Sequence, residues 1–218
     1  MRKGFFITFE GPEGSGKSTQ SRRLKRFLSS KKIPVLLTRE PGGTFVGEFI
    51  RDILLTPTKR MFSSRAELFL YLADRSQHVD EKISPFLKRG GVVISDRFTD
   101  ATIAYQGFGR TLDTVNLIKL NQIATDGLEP NITFLLDVPP EKGLVAARKT
   151  SAKKMKYELG DRLEQEDIKF HTSVREGYLA LARDNPERIR IINGIGSRDD
   201  IFQKILKELS PLLRTFLR

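Results

Sequence analysis

Short, continuous apolar segments alternate along the chain with longer segments in which apolar residues recur at helical spacing. The short segments are rich in Val, Ile and Phe, a pattern typical of strands that are buried on both faces. They lie at Phe5–Phe9, Val35–Thr38, Val92–Ser95, Ile132–Leu136 and Arg188–Ile192. We therefore predict five strands of a parallel sheet.

The intervals between these segments predict helices. In the first interval, Leu24, Phe27 and Leu28 fall on one helical face. Ser64 and Glu67 predict a capping box, and Pro85 predicts a bend later in the same helix. The predicted helices are Lys17–Ser30, Thr44–Leu55, Ser64 to about Arg89, Asp113–Thr125, Pro140–Lys149, one after Asp161, and Ser197 to about Leu217. The alternation predicts an α/β fold, a parallel sheet with helices on both faces.

Length and composition are consistent with one domain over residues 1–218. Hydrophobic residues make up 39% of the chain and charged residues 30%, which is ordinary for a globular protein. There is no signal peptide and no apolar stretch of membrane-spanning length, so we expect a cytoplasmic protein without a membrane partner. The absence of cysteine excludes a disulfide scaffold and a Cys-ligated metal.

The formal net charge of +11 leaves three interpretations open. A basic chain can bind nucleic acid, bind small and highly charged anions, or present a solvated basic surface. Composition does not distinguish among them.

A phosphate-binding loop joins the first predicted strand to the first predicted helix. Gly11, Gly16, Lys17 and Ser18 match the pattern G-x-x-x-x-G-K-[ST]. Its glycines let backbone N–H groups turn toward an anion, the lysine adds a charge, and the serine hydroxyl can hold Mg²⁺. The residues predicted to bind the nucleoside triphosphate are Gly11, Pro12, Glu13, Gly14, Ser15, Gly16, Lys17, Ser18 and Thr19.

Ligands of such sheets bind where the strands end, so the residues that follow each strand matter most. Glu13 would face a metal or a sugar hydroxyl, or else solvent. Arg39 would bind the phosphate of a second substrate, and the rigid bend that begins at Pro41 would form a wall of that substrate's site, unless this segment is an ordinary turn. Asp96 would order the Mg²⁺ shell. Arg97 follows where ATP-hydrolysing proteins usually place a glutamate, which favours phosphoryl transfer over hydrolysis.

Two further segments suggest contacts with nucleotides. Tyr71 and Arg75 share one helical face and could stack on a base and bond its edge, although such a tyrosine is also typical of a core. The segment of about 148–162 is basic and could close as a lid over the triphosphate, or it is a solvated loop. Its cationic residues are Arg148, Lys149, Lys153, Lys154, Lys156 and Arg162.

Together these motifs resemble the thymidylate kinase family, in its bacterial type, among the P-loop nucleoside monophosphate kinases. The resemblance spans nearly the whole chain. It is carried by residues 9–19, by Thr38-Arg39-Glu40-Pro41-Gly42-Gly43-Thr44, by Asp96-Arg97-Phe98, by Ala104-Tyr105-Gln106-Gly107, by Leu136-Asp137 and by Asp161-Arg162-Leu163-Glu164. The second and fourth stretches are far more specific than the phosphate-binding loop.

The resemblance implies phosphorylation of dTMP to dTDP with ATP and Mg²⁺. It further implies a homodimer packed through helices and no nucleic-acid partner. By this resemblance, Glu13 would bind the sugar 3′-hydroxyl, and Arg39 and Arg97 would bind the phosphates. Tyr71 would stack on thymine, Arg75 and Thr102 would contact the edge of the base, and Tyr105 would contact the deoxyribose. Asp96 would belong to the Mg²⁺ network. Family members usually carry phenylalanine at the position of Tyr71.

One position departs from part of the family. Some members carry a catalytic arginine in the phosphate-binding loop directly after its acid, where this chain has Gly14. The resemblance then implies that the lid supplies the cation, from Lys153, Lys154 or Arg162, with Arg148 near ATP.

The predicted reaction is an in-line transfer without a general base, because a phosphate acceptor is already largely ionised at neutral pH. Lys17, Arg39, Arg97, Mg²⁺ and the lid would then act by positioning and by stabilising charge. Two other hypotheses remain: a kinase for another monophosphate or a nucleoside, and a nucleic-acid-dependent ATPase or nucleotide switch, which the net charge supports.

Overall fold

A computed structural model describes residues 4–57, 62–153 and 161–217, with only the backbone described for 151–153 and 214–217. The described strands form one five-stranded parallel sheet in the order β2-β3-β1-β4-β5. The strands are β1 Phe5–Glu10, β2 Val35–Arg39, β3 Val92–Asp96, β4 Ile132–Asp137 and β5 Ile189–Asn193. All five predicted strands are present, each within one residue of its predicted bounds at either end.

Helices connect the strands. They are α1 Lys17–Ser30, α2 Phe45–Leu55, α3 Ser64–His78, α4 Ser84–Lys88, α5 Thr99–Thr102, α6 Thr114–Thr125, α7 Pro140–Lys153, α8 Ile168–Asp184 and α9 Arg198–Leu217. Two π-helical segments, Val79–Ile83 and Ile103–Gly109, continue α3 and α5. The helices between 99 and 109 were not predicted, because they are short and carry no amphipathic period of their own.

The start of α3 corrects the predicted capping box. Ser63, not Ser64, is the N-cap, and its hydroxyl accepts a hydrogen bond from the backbone N–H of Ala66 at 3.2 Å. Glu67 therefore lies one residue too far along the helix to complete a capping box. It pairs instead with cations from two other parts of the chain, Arg110 and Arg162.

Apolar packing on both faces of the sheet confirms the predicted fold class. Alternate residues of β1 point to opposite faces. Ile7 and Phe9 belong to a core with residues of α1 and α9, such as Leu24 and Ile205. Phe6 packs with residues of β3 and of the π-helical segment after α3. This layering brings the carboxyl ends of β1, β2 and β3 to one edge of the sheet.

None of the helices in the described ranges combines the length and the apolar character that crossing a membrane would require.

Candidate active site

A cleft of about 1150 Å³ opens at the carboxyl edge of the sheet. It is larger than the pockets of about 300–1000 Å³ that hold one drug-sized ligand, which suits two nucleotides end to end. Most of the predicted site residues line it: Glu13, Gly14, Ser15, Gly16, Lys17, Ser18, Thr19, Arg39, Pro41, Tyr71, Arg75, Asp96, Arg97, Thr102 and Tyr105. The structure therefore brings these predicted residues together in one cleft.

The phosphate-binding loop connects β1 to α1. Gly11, Gly14 and Gly16 have positive φ angles of 137°, 66° and 94°, a region that side-chain-bearing residues rarely adopt. Nζ of Lys17 donates to the carbonyl oxygens of Gly11 at 2.9 Å and of Pro12 at 2.8 Å. Burial and the charge of Arg97 lower the pKa of Lys17 to about 8. Lys17 is the first residue of α1, and its side chain bonds back to the loop that precedes it. A phosphate bound there would also face the positive end of the helix dipole.

Ser18 and Asp96 lie together, as expected for residues that share a metal ion. The Ser18 hydroxyl donates a hydrogen bond to Oδ2 of Asp96. A hydroxyl and a carboxylate are hard oxygen ligands that suit Mg²⁺, which is commonly held by one or two side chains together with phosphates and water. The described residues contain no larger cluster of acidic or histidine side chains that could bind a metal alone.

Arg97 lies at the centre of a buried hydrogen-bond network. Its Nη2 donates to Oε1 of Glu13 at 2.5 Å and to the hydroxyl of Tyr105 at 2.9 Å. Its Nη1 donates to the hydroxyl of Tyr178 at 2.9 Å and to the carbonyl of Gly11 at 3.2 Å. Burial opposes ionisation of Glu13, but the charges of Arg97 and of the nearby lysine lower its pKa to about 2. Glu13 is therefore a carboxylate at neutral pH, able to accept a hydrogen bond.

Arg39 reaches the cleft from the end of β2 and is paired with an acid. Its Nη2 donates to both carboxylate oxygens of Glu48, at 3.0 and 2.9 Å. Oε1 of Glu48 also accepts the backbone N–H of Gly43 at 3.0 Å. Both charged side chains are about half exposed, so a phosphate in the cleft could compete for the guanidinium.

Arg75 is more deeply buried than a residue that only contacts ligand would need to be, with 1% exposure. It donates to Glu40 at 2.8 Å, to Thr102 at 2.6 Å, to Asn121 at 2.6 Å and to the Phe98 carbonyl at 2.9 Å. A guanidinium has five N–H groups, so one remains for a ligand. The Thr102 hydroxyl, which accepts from this guanidinium, keeps its own proton for an acceptor in the cleft.

The two predicted aromatic residues line the cleft from different elements. Tyr71 projects from α3 and is partly buried. Tyr105 lies in the π-helical segment after α5, where its hydroxyl donates to Oε1 of Glu13 at 2.8 Å. Its ring packs edge-on against Phe170, with 6.1 Å between ring centroids. Tyr105 is therefore fixed before any ligand binds.

The two predicted lid arginines, both described, are not brought to the cleft. Arg162 donates through Nε to the Leu54 carbonyl at 2.7 Å, and its Nη2 lies 2.7 Å from the Glu67 carboxylate. Arg148 donates to the Glu164 carbonyl at 3.3 Å. Neither arginine lines the cleft. The side chain of Lys153, and Lys154 and Lys156 entirely, lie outside the described residues.

Several residues that line the cleft were missed by the sequence analysis. Arg51, in α2, donates to the Pro41 carbonyl at 2.8 Å, and Gln106 donates to Glu67 at 2.9 Å. Gly194 and Gly196 line the cleft from the loop after β5, and Arg198 lines it from the first residue of α9. That loop could have been found, because the strand-end rule applies to the fifth strand as it does to the first three. The orientation of Arg51 could not, since it depends on how α2 packs.

Known proteins of one family resemble this chain over nearly its whole length. The family model described as "Thymidylate kinase" matches residues 9–205. A thymidylate kinase of Carboxydothermus hydrogenoformans is 50% identical over 203 residues, covering 93% of this chain and 95% of the relative. One of Nitratidesulfovibrio vulgaris is 45% identical over 208 residues, covering 95% and 97%. The crystal structure of thymidylate kinase from Ehrlichia chaffeensis matches with a TM-score of 0.77 and 34% identity, over 95% of this chain and 99% of that one. The chain belongs to the thymidylate kinase family.

Proposed function

We propose that the cleft transfers the γ-phosphoryl group of ATP in line to the phosphate of dTMP, giving ADP and dTDP. Membership of the thymidylate kinase family supports this donor and this acceptor. One structural observation carries the proposal: a single cleft joins a phosphate-binding loop to a pair of arginines, Arg39 and Arg97. Two phosphate groups can meet there without a base, because the acceptor phosphate is already ionised at neutral pH.

Two groups of cleft residues suit the two nucleosides. Tyr71, Thr102 and Tyr105 line the cleft, and the thymine and its deoxyribose would lie against them. Gly194, Gly196 and Arg198 line the cleft together with the phosphate-binding loop, and the base of ATP would lie beside them. In this proposal the reacting phosphates lie between Lys17 and Arg97.

Binding of dTMP would exchange hydrogen-bond partners. The dTMP phosphate would replace Glu48 as the partner of Arg39. The same phosphate would approach Arg97 from the side that now faces Glu13. The Glu13 carboxylate would then accept the sugar 3′-hydroxyl, the role expected from the resemblance. Ser18 and Asp96 would hold Mg²⁺, which supplies positive charge to the phosphates when it is bound.

The lid of about 148–162 would supply the remaining cation. In this proposal Lys153 or Arg162 approaches the transferred phosphoryl group, and Arg148 contacts ATP. Arg162 must then leave Glu67, a carboxylate that retains Arg110 at 3.2 Å. Alanine substitution of each of the three lid residues, measured as kcat at saturating ATP and dTMP, identifies the contributor.

We also propose a cytoplasmic homodimer. Helix α2 exposes Phe45, Val46, Phe49 and Ile53, which recur at helical spacing, and the neighbouring α3 exposes Phe69. Phe45 and Phe49 are 78% and 59% exposed, and such an apolar stripe is typical of a protein interface. Light scattering should give twice the chain mass, and Phe49→Asp should halve it; a monomeric parent protein would contradict the homodimer.

An acceptor panel tests the activity. ADP release is measured with ATP, Mg²⁺ and each of dTMP, dUMP, dCMP, UMP, AMP and GMP in turn. We expect dTMP to have the highest kcat/KM, and another best acceptor would overturn the substrate assignment. ATP hydrolysis that DNA or RNA stimulates without an acceptor would favour the nucleic-acid-dependent ATPase instead.

A further inference from the structure

We propose that Tyr178 and Glu10 are positioning residues that fix the guanidinium of Arg97 for phosphoryl transfer. The inference rests on the proposed function, in which Arg97 contacts the reacting phosphate. Neither Tyr178 nor Glu10 is among the described residues that line the cleft. Both act through Arg97, and neither is a catalytic residue.

The backbone at Arg97 needs external support. Its φ angle is 74°, a left-handed conformation that side-chain-bearing residues rarely adopt. Three hydrogen bonds hold this turn. The Arg97 N–H donates to the Phe9 carbonyl at 3.0 Å, the Ser95 hydroxyl donates to the Arg97 carbonyl at 2.7 Å, and the Phe98 N–H donates to Oε1 of Glu10 at 2.7 Å. Glu10 thus fixes the residue that directly follows Arg97.

The other carboxyl oxygen of Glu10 orients Tyr178. The Tyr178 hydroxyl donates to Oε2 of Glu10 at 2.8 Å and accepts from Nη1 of Arg97 at 2.9 Å. A phenol has a single proton, so donation to Glu10 leaves the oxygen lone pairs for Arg97. All three side chains are largely buried, which keeps water from replacing these contacts. Glu10 therefore stabilises the backbone turn at Arg97 and orients the Tyr178 hydroxyl that accepts from the guanidinium.

The Tyr178 contact matters most when the ligand binds. The Nη2 partners, Glu13 and Tyr105, are the groups expected to meet dTMP, so their contacts with Arg97 change during the cycle. The Nη1 partners, Tyr178 and the Gly11 carbonyl, are not expected to contact dTMP and can persist. They would hold the orientation of the Arg97 guanidinium while its Nη2 contacts change.

A double-mutant cycle of Tyr178→Phe and Arg97→Ala tests the inference on the full chain. The phenylalanine keeps the ring that packs in the core but removes the hydroxyl. We expect kcat to fall about tenfold, with KM for dTMP changing less than about threefold, because a misdirected charge weakens transition-state contacts most. Arg97→Ala should lower kcat at least about a hundredfold, and adding Tyr178→Phe to it should change little more.

Two further variants separate positioning from packing. Val174→Ala deletes two methyl groups of a fully buried side chain one turn earlier in α8, so it should lower thermal stability while kcat stays within about twofold. Glu10→Gln leaves an acceptor for the Phe98 N–H, but its amide N–H now competes with Arg97 for the Tyr178 oxygen. It should lower kcat in the parent background and not in the Arg97→Ala background.

The outcomes distinguish the inference from the proposed function. Equal losses from Tyr178→Phe in both backgrounds, or a full kcat in that variant, would overturn the positioning role alone. Parent-like turnover of Arg97→Ala would overturn the role of Arg97 itself and this inference with it. A loss confined to the background that retains Arg97 supports both.

Discussion

A Cβ atom on Gly14 would lie 1.9 Å from the carbonyl oxygen of Gly143, and one on Gly143 would lie 2.3 Å from the carbonyl oxygen of Glu13. The phosphate-binding loop and the first turns of α7 thus approach each other at two reciprocal glycines. No larger side chain fits between them without moving the backbone. This contact gives a physical reason why the loop has no arginine directly after its acid: a side chain at this position would collide with the backbone of α7.

Gly14→Ala should therefore destabilise the fold by more than backbone strain alone. Gly127 is a matched control, since its φ of 70° is close to the 66° of Gly14 and no atom lies within 4 Å of its added Cβ. Left-handed strain of about 1–2 kcal/mol should lower the Tm of Gly127→Ala by a few degrees and leave its activity intact. We expect at least twice that loss for Gly14→Ala by calorimetry. Equal losses would show that the loop moves away from α7 freely.

Asp74 should make stability depend on pH. Its Oδ1 accepts the Gly42 N–H at 2.8 Å, and Oδ2 has no hydrogen-bond partner among the described residues. Burial and the Glu40 carboxylate raise the pKa of Asp74 to about 8, against about 3.9 in an unfolded chain. The folded state thus binds the extra proton between these values. Its stabilisation is complete below about pH 4 and is lost as the pH rises to about 8.

Asp74→Asn mimics the protonated carboxyl group and should remove this dependence. The Tm of the variant should exceed that of the parent protein by several degrees at pH 8.5, and the gap should shrink steadily toward pH 5. Asp80→Asn, at an exposed position nearby, controls for the loss of one charge. A gap that is constant with pH would mean that Asp74 does not titrate in this range.

Tyr71 tests where the acceptor base lies. Stacking of a base on an aromatic ring contributes about 1–3 kcal/mol. Tyr71→Ala should therefore raise KM for dTMP about tenfold or more, with a smaller effect on KM for ATP. Tyr71→Phe keeps the ring and should stay within about twofold of the parent. An unchanged KM in the alanine variant would place the thymine elsewhere in the cleft.

The sequence predicted the strands and their end residues because both follow from local patterns. Continuous apolar segments identify buried strands, and the residues after β1, β2 and β3 must meet at one edge of a parallel sheet. Ser18 and Asp96 could be paired on this basis alone. The loop pattern likewise identified Lys17 without any knowledge of packing.

The burial of site side chains and their hydrogen-bond partners could not be predicted from local patterns. The spacing of Tyr71 and Arg75 indicates a shared helical face, but it does not show that Arg75 is buried against Glu40, Thr102 and Asn121. These partners come from distant parts of the chain, and only the packed fold brings them together. Arg162 illustrates the same limit, since its basic neighbourhood predicted a lid residue and the structure pairs it with Glu67.

Substitutions of Arg39 and of Glu48, which form an ion pair, should change KM for dTMP in opposite directions. If the acceptor phosphate competes with Glu48 for Arg39, weakening the acid should help binding. Glu48→Gln keeps an oxygen for the Gly43 N–H and removes the charge, so KM for dTMP should fall about two- to threefold with kcat nearly unchanged. The effect is small because an exposed ion pair contributes at most about 1 kcal/mol. Arg39→Ala should raise KM at least about tenfold.

Steady-state kinetics on Glu48→Gln, Arg39→Ala and a control variant test whether Glu48 competes with the phosphate for Arg39. Glu208→Gln breaks an exposed ion pair with Arg190 that lies away from the cleft and should leave KM for dTMP unchanged. A KM that rises in Glu48→Gln would mean that the acid holds Arg39 in its binding orientation and does not compete with substrate. Added salt offers an independent check, since it screens exposed pairs: the advantage of Glu48→Gln over the parent should shrink as ionic strength rises.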